Sequence, residues 1–151
     1  MEIIVQTLVA FVGVIAFAVL FQTPRAYCAA CGATGAAGWA LYLLLRAALF
    51  SAPVTSLLAA MFITLLARIF AVVHKCPTTT FLVCGIFPIV PGAGIYFTAY
   101  YFIMEDNILC LEWGMETIKI AVGIAVGIVL VLALPNGLFH RKSSTDAKTE
   151  H

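Results

Sequence analysis

The sequence predicts an all-α integral membrane protein whose chain crosses the bilayer five times. Hydrophobic residues make up 64% of the 151 residues and charged residues only 10%, with a mean hydropathy of +1.11. Soluble domains are far more polar. Each of the apolar runs approaches the roughly 20 residues that a spanning helix needs. These runs lie at about 3–21, 26–45, 54–73, 81–103 and 117–139.

The connections between the runs are too short to hold an extramembrane domain. Residues 1–139 are therefore predicted to form a single membrane domain, and residues 140–151 a short polar tail. The first run, Ile3 to Phe21, begins close to the first residue, but no basic residue precedes it as one would in a secretory signal. We expect this run to remain as the first span.

Small residues recur at every fourth position of the second run, and such spacing lets another helix backbone approach closely. A similar pair occurs in the fifth run. The positions are Ala29, Ala33 and Ala37 on one face, Gly32, Ala36 and Ala40 on a second face, and Gly123 and Gly127 in the fifth run. Both runs are predicted to pack against other helices.

Basic residues predict the orientation of the spans, since Lys and Arg near helix ends are retained in the cytoplasm. Arg25, Lys75 and the basic residues of the tail fall on one side, whereas Arg46 and Lys119 fall on the other. The N-terminus is predicted to lie outside and the C-terminus inside. The acidic connection from Met104 to Glu116 is then external, and no Asp or Glu is expected within a span.

Arg68 lies well inside the third run, near its predicted cytoplasmic end. One interpretation is that its side chain extends to the lipid headgroups. The other is a functional cation that faces a polar cavity, because charges within spans often mark solute pathways.

The fourth run is interrupted by Pro88 and Pro91, each of which removes a backbone donor from a helix. Thr78 to Thr80 precede this run, and their hydroxyls are expected to cap its first turn. A simple proline kink is one interpretation of the interruption. The other is a break between two half-helices, the second of which begins with free N–H groups that suit a carboxylate. The candidate solute-binding residues are Arg68, Pro88, Pro91, Gly92, Ala93, Gly94 and Tyr96, the last for its deeply placed hydroxyl.

Other classes of protein lack their characteristic residues in this sequence. The net charge is +1 without a basic patch, so nucleic acid is not an expected partner. No nucleophile has a base beside it and no Gly-rich phosphate loop is present, so no enzymatic activity and no cofactor are predicted. The five cysteines include Cys28 and Cys31 at redox-pair spacing, but these have no second pair or nearby His to bind a metal.

The order of these features resembles the threonine/serine exporter family. The shared features are Pro24-Arg25, Gly35-Ala-Ala-Gly-Trp39, Ala67-Arg68, Pro77, Pro88-Ile-Val-Pro91-Gly92 and Tyr96. The chain is similar to the half of that family that occurs as a separate small membrane subunit. The resemblance implies a secondary exporter in the cytoplasmic (inner) membrane of a bacterium. It also implies a larger membrane subunit as partner, and serine, threonine or a dicarboxylate such as succinate as solute.

These features predict alternating access around the break, with the solute carboxylate on the N–H groups of Gly92 to Gly94. Arg68 would attract anions on the cytoplasmic side. Proton coupling would then require a carboxylate on the partner subunit. Two alternatives remain: a homo-oligomeric channel for small solutes, and a membrane subunit that only holds a larger complex together.

Overall fold

The computed structural model describes residues 2–134, and this part of the chain is entirely helical. Four of its helices are long and apolar enough to cross a membrane, and a bent pair makes a fifth candidate span. The helices are α1 (Glu2–Leu20), α2 (Arg25–Ala47), α3 (Ala52–His74), α4 (Thr78–Ile86), α5 (Gly92–Ile103) and α6 (Asn107–Leu132), with a 3₁₀ turn at Phe87–Ile89 after α4. The all-helical prediction is confirmed for the described residues.

The last helix begins earlier than the sequence predicts. The expected start was about residue 117, whereas α6 begins at Asn107. The Asp106 carboxylate accepts a hydrogen bond from the Leu109 N–H at 3.1 Å, and such a cap stabilises a helix start. The charged residues after Met104 suggested a loop, but Glu112 and Glu116 lie on this helix, whereas Glu105 and Asp106 precede it. Residues 135–139 of the predicted span and the predicted tail lie outside the described residues.

Each of the four short connections between helices contains a residue in the left-handed region of backbone conformation. Such a residue lets the chain reverse direction within few residues. These are Gln22 (φ 56°), Leu49 (φ 66°), Lys75 (φ 53°) and Glu105 (φ 59°). Lys75 directly follows α3, and its N–H is bonded back to Ala71.

The small residues of α2 allow the close packing that the sequence predicts, but on one of the two expected faces. Gly32 and Ala36 are buried, whereas Ala29 and Ala33 are exposed. A Cβ atom at Gly32 would lie 2.8 Å from Ile15 of α1. The face with Gly32 therefore contacts α1, whereas packing of the face with Ala29 against a copy of the chain or another subunit stays a prediction.

Helices α3 and α6 pack in parallel with their backbones close together. A Cβ atom at Gly123 would lie 2.7 Å from the Pro53 carbonyl oxygen, and one at Gly127 would lie 2.6 Å from that of Leu57. Glycine is the residue that permits such an approach between membrane helices. The contact begins near the start of α3, so the first four turns of α6 extend beyond it by about 24 Å.

The extended part of α6 pairs with α5 in an antiparallel hairpin. Gly94 faces Thr117, Gly114 faces Thr98, and the Cys110 thiol donates to the Thr98 carbonyl at 3.5 Å. Within residues 2–134, α5 packs against no helix but α6. One half of α6 therefore belongs to the main bundle and the other half supports α5.

Candidate functional site

The two helices around the proline pair are separated by a short non-helical segment. Val90 is extended (φ −61°, ψ 130°), and Pro91 has φ −76° and ψ 57°. The axes of the helical segments Thr78–Ile89 and Gly92–Ile103 are bent by 51° relative to each other. The backbone hydrogen bonds of α4 and α5 do not run continuously through this segment.

Two N–H groups at the start of α5 are available to a ligand. The Gly92 N–H is not one of them, because it donates to the Val90 carbonyl at 2.7 Å. Among the described residues, no backbone oxygen accepts from Ala93 or Gly94. The first N–H groups of a helix have no partner within the helix and carry the positive end of its dipole. The predicted anion-binding set is therefore reduced to Ala93 and Gly94.

A cavity of about 480 Å³ lies beside the break. Its walls come from α2, from the start of α3, from the break and from α6. The lining residues are Trp39, Tyr42, Arg46, Ala52, Ser56, Pro88, Ile89, Val90, Pro91, Gly92, Ala93, Gly94, Trp113, Glu116, Thr117 and Ile120. Five of the seven predicted site residues are brought together here, namely Pro88, Pro91, Gly92, Ala93 and Gly94.

The cavity has one cation and one anion in its walls, and sequence reasoning missed both. Arg46 comes from the last turn of α2, and Glu116 from α6. Both had been assigned to connections. Glu112, Glu116 and Lys119 follow helical spacing, which is the signal that would have placed them on a helix. Glu112 and Glu116 lie on α6, the helix that forms the candidate span Asn107–Leu132, and not in the connection to which the sequence assigned them.

Aromatic rings form much of the remaining wall. The rings of Trp39 and Tyr42 are stacked, with centroids 5.2 Å apart and 12° between their planes. Trp113 packs against Phe97 of α5, with centroids 4.9 Å apart. A site with apolar walls and a few polar groups is typical of small-molecule binding.

Arg68 is placed away from this cavity. Its side chain is 6% exposed, and its guanidinium donates to the Val131 carbonyl and, at 2.9 Å, to the Leu134 carbonyl. Carbonyl groups at a helix C-terminus lack partners within the helix and favour a nearby cation. Arg68 is not among the described residues that line the cavity. The structure therefore does not bring Arg68 together with the break.

Tyr96 also lies outside the cavity lining. Its side chain is 64% exposed on α5, where its ring is stacked with that of Tyr100 at a centroid distance of 6.3 Å. Among residues 2–134, no three His, Cys, Asp or Glu side chains meet as metal ligands would.

A helical chain with four to five candidate spans and a solute-sized cavity is a multi-pass membrane protein. The comparison with protein families gives the particular group. The profile described as "Threonine/Serine exporter, ThrE" matches residues 6–134, so the chain belongs to the threonine/serine exporter family. Neither the curated proteins nor the solved structures gave a match. Membership defines the chain as a membrane protein of an amino-acid exporter family.

Proposed function

We propose that the chain is the small membrane subunit of a secondary exporter and that the cavity beside the break holds the solute. The solute is serine, threonine or a small carboxylate. The observation that carries this proposal is that two free helix N–H groups and Arg46 line the same cavity. Both features favour a carboxylate, and they come from different helices.

The solute carboxylate accepts from the N–H groups of Ala93 and Gly94, and Arg46 supplies the compensating charge. One nitrogen of the Arg46 guanidinium also donates to the Phe50 carbonyl, at 3.5 Å. The other N–H groups of the guanidinium are left for a ligand. Ser56 lines the same cavity, and its hydroxyl donates to the Ala52 carbonyl at 2.8 Å.

We infer that α4 and α5 form one broken span, with the N-terminus of the chain outside and the C-terminus inside. A re-entrant segment returns to the face that it entered from, and a bend of only 51° between the two segments favours a single broken span over such a return. Arg46 and Lys119 line the same surface cleft and therefore lie at one end of the bundle. The orientation is supported by the larger number of basic residues that the sequence assigns to the other end, namely Arg25, Lys75, Arg141, Lys142 and Lys148. Alternating access then moves helices around the fixed break.

A larger subunit of the same exporter completes the transporter in the inner membrane of a bacterium. In the described part of the chain, α5 has α6 as its single helical neighbour, so its other faces are available to a partner. Arg68 has a structural role in this proposal: it holds the end of α6 against α3. Its guanidinium already donates to two backbone carbonyls.

The test is efflux of radiolabelled serine, threonine and succinate from proteoliposomes that contain this chain, alone or with a larger family partner. The proposal expects saturable efflux that needs both subunits and falls with Arg46→Gln. Unsaturable flux through this chain alone would favour the homo-oligomeric channel. Efflux that requires the chain but is unchanged by Arg46→Gln and by replacement of Pro88 to Gly94 would favour a subunit that only assembles the complex.

A further inference from the structure

We propose that Glu116 determines solute specificity by requiring a positively charged amino group on the solute. The inference rests on the proposed function of the cavity and adds which residue distinguishes amino acids from other carboxylates. It is carried by the position of Glu116, which lines the cavity together with Arg46 and the start of α5.

The helix around Glu116 holds its side chain at the cavity. α6 is helical without interruption through this turn, and the Thr117 hydroxyl donates to the Trp113 carbonyl within it at 2.7 Å. Trp113, Glu116, Thr117 and Ile120 follow one another at helical spacing and all line the cavity. The carboxylate of Glu116 is therefore on the face of α6 that a solute would contact.

The charges that face the cavity favour a zwitterion. Arg46 supplies a basic side chain and Glu116 an acidic one, and the start of α5 adds roughly half a positive charge. Among the described residues, the cavity lining includes no other ionisable side chain except Tyr42. A neutral solute with one carboxylate and one ammonium group matches both signs. A dicarboxylate places its second negative charge near Glu116, and like charges repel.

A neutral residue at position 116 reverses this preference. Arg46 and the N–H groups then remain without an opposing anion, so the cavity favours solutes with one or two carboxylates. Glycerate tests the change most closely, because it carries a hydroxyl group where serine carries its ammonium group. Loss of one hydrogen bond between the solute ammonium group and a carboxylate reduces affinity about tenfold.

Glu112 provides the matched control. It lies one turn before Glu116 on the same helix. It lines the surface cleft that also contains Arg46, Glu116 and Lys119, but not the cavity beside the break. Replacing either glutamate with glutamine removes the same charge. A general electrostatic effect on transport would therefore appear in both variants, and a specific contact with the solute in Glu116→Gln alone.

The experiment measures equilibrium binding and efflux of serine, glycerate and succinate with the full chain and its partner. We expect Glu116→Gln to lower the serine-to-glycerate binding ratio at least about tenfold and to raise succinate binding. Glu116→Asp should restore part of the ratio, and Glu112→Gln should leave it unchanged.

An unchanged ratio in Glu116→Gln, or an equal fall in Glu112→Gln, overturns the role of Glu116. Binding without efflux by the wild-type protein overturns the exporter proposal, while the binding ratio still decides the role of Glu116. If the wild-type protein binds none of the three solutes, both proposals are wrong. Unfolding temperatures of the variants are compared in the same preparations, because a specificity change requires that the fold is kept.

Discussion

Two arginines at opposite ends of the bundle have contrasting surroundings. Arg68 is buried, and its guanidinium donates to carbonyl groups at the end of α6. Arg46 is exposed and lies in the wall of a cavity that also contains an acidic residue and a helix start. A charge deep within an apolar run is thus engaged in holding two helices together, whereas a charge at the end of a helix is available to a solute.

The difference has a simple physical cause. A guanidinium in an apolar environment needs backbone or side-chain acceptors. Arg68 finds them in the Val131 and Leu134 carbonyls at the end of α6, and the Val131 carbonyl accepts in addition from the Leu134 N–H at 3.3 Å. Among the described residues, Arg46 donates to the Phe50 carbonyl, and most of its N–H donors remain available.

The largest effect is expected for Arg68→Met. The variant leaves the Val131 and Leu134 carbonyls without their charged donor, and we expect the free energy of unfolding to fall by about 3 kcal/mol. Thermal unfolding in detergent measures this loss, with Arg46→Met as the control that should unfold near the wild-type temperature. A stable Arg68→Met protein that no longer binds serine would instead make Arg68 part of the solute site.

Gly94→Ala tests how closely α5 must approach α6. A methyl group at Gly94 would overlap the hydroxyl of Thr117, whereas one at Gly92 would meet no atom within 4 Å. Overpacking of this kind costs about 2 kcal/mol, so Gly94→Ala should unfold at a lower temperature than Gly92→Ala. Equal unfolding temperatures would mean that α5 shifts without cost and that the hairpin is looser than its contacts indicate.

Arg46→Gln separates binding from stability. We expect serine efflux to fall at least about tenfold, because the solute carboxylate loses its cation, while the unfolding temperature stays unchanged. Lys119→Gln is the matched control, since Lys119 lines the surface cleft but not the cavity beside the break. The assignment of Arg46 to the site would be wrong if both variants transported equally well.

The smallest effect concerns the turn of the hairpin. Asp106→Ala removes the acceptor of the Leu109 N–H and should destabilise the start of α6 by about 1 kcal/mol. Asn is a cap of similar strength, so Asp106→Asn should retain most of the stability. Amide hydrogen exchange near Leu109 reports the difference directly. Similar exchange in the two variants would show that α5 contacts, not the cap, stabilise this turn.

Much of the fold follows from the sequence because hydropathy and breakers are local properties. The first three helices end within a few residues of the predicted boundaries, and the bend occurs where two prolines interrupt the fourth run. The start of α6 could not be located in this way, since Glu112 and Glu116 made a helical segment resemble a loop. Hydropathy detects apolar length, and a helix that extends past the apolar region escapes it.

The site was only partly predictable for a related reason. The glycines and prolines of the break are informative alone, since they change the backbone wherever they occur. Arg46 and Glu116 indicate a site only when they line the same cavity, and folding brings them there from helices that are distant in sequence. The role of Arg68 depended likewise on the end of α6, whose carbonyl groups no sequence pattern reveals.

Cys110 gives the hairpin a built-in chemical reporter. Its half-buried thiol donates to the Thr98 carbonyl across the α5 and α6 contact, whereas Cys28, Cys31 and Cys84 are buried in the main bundle. Separation of α5 from α6 would expose this sulfur to a maleimide while the buried thiols stay protected. With Cys76 replaced by serine, the labelling rate of an otherwise unaltered chain would follow the movement of one cavity wall as solute is added.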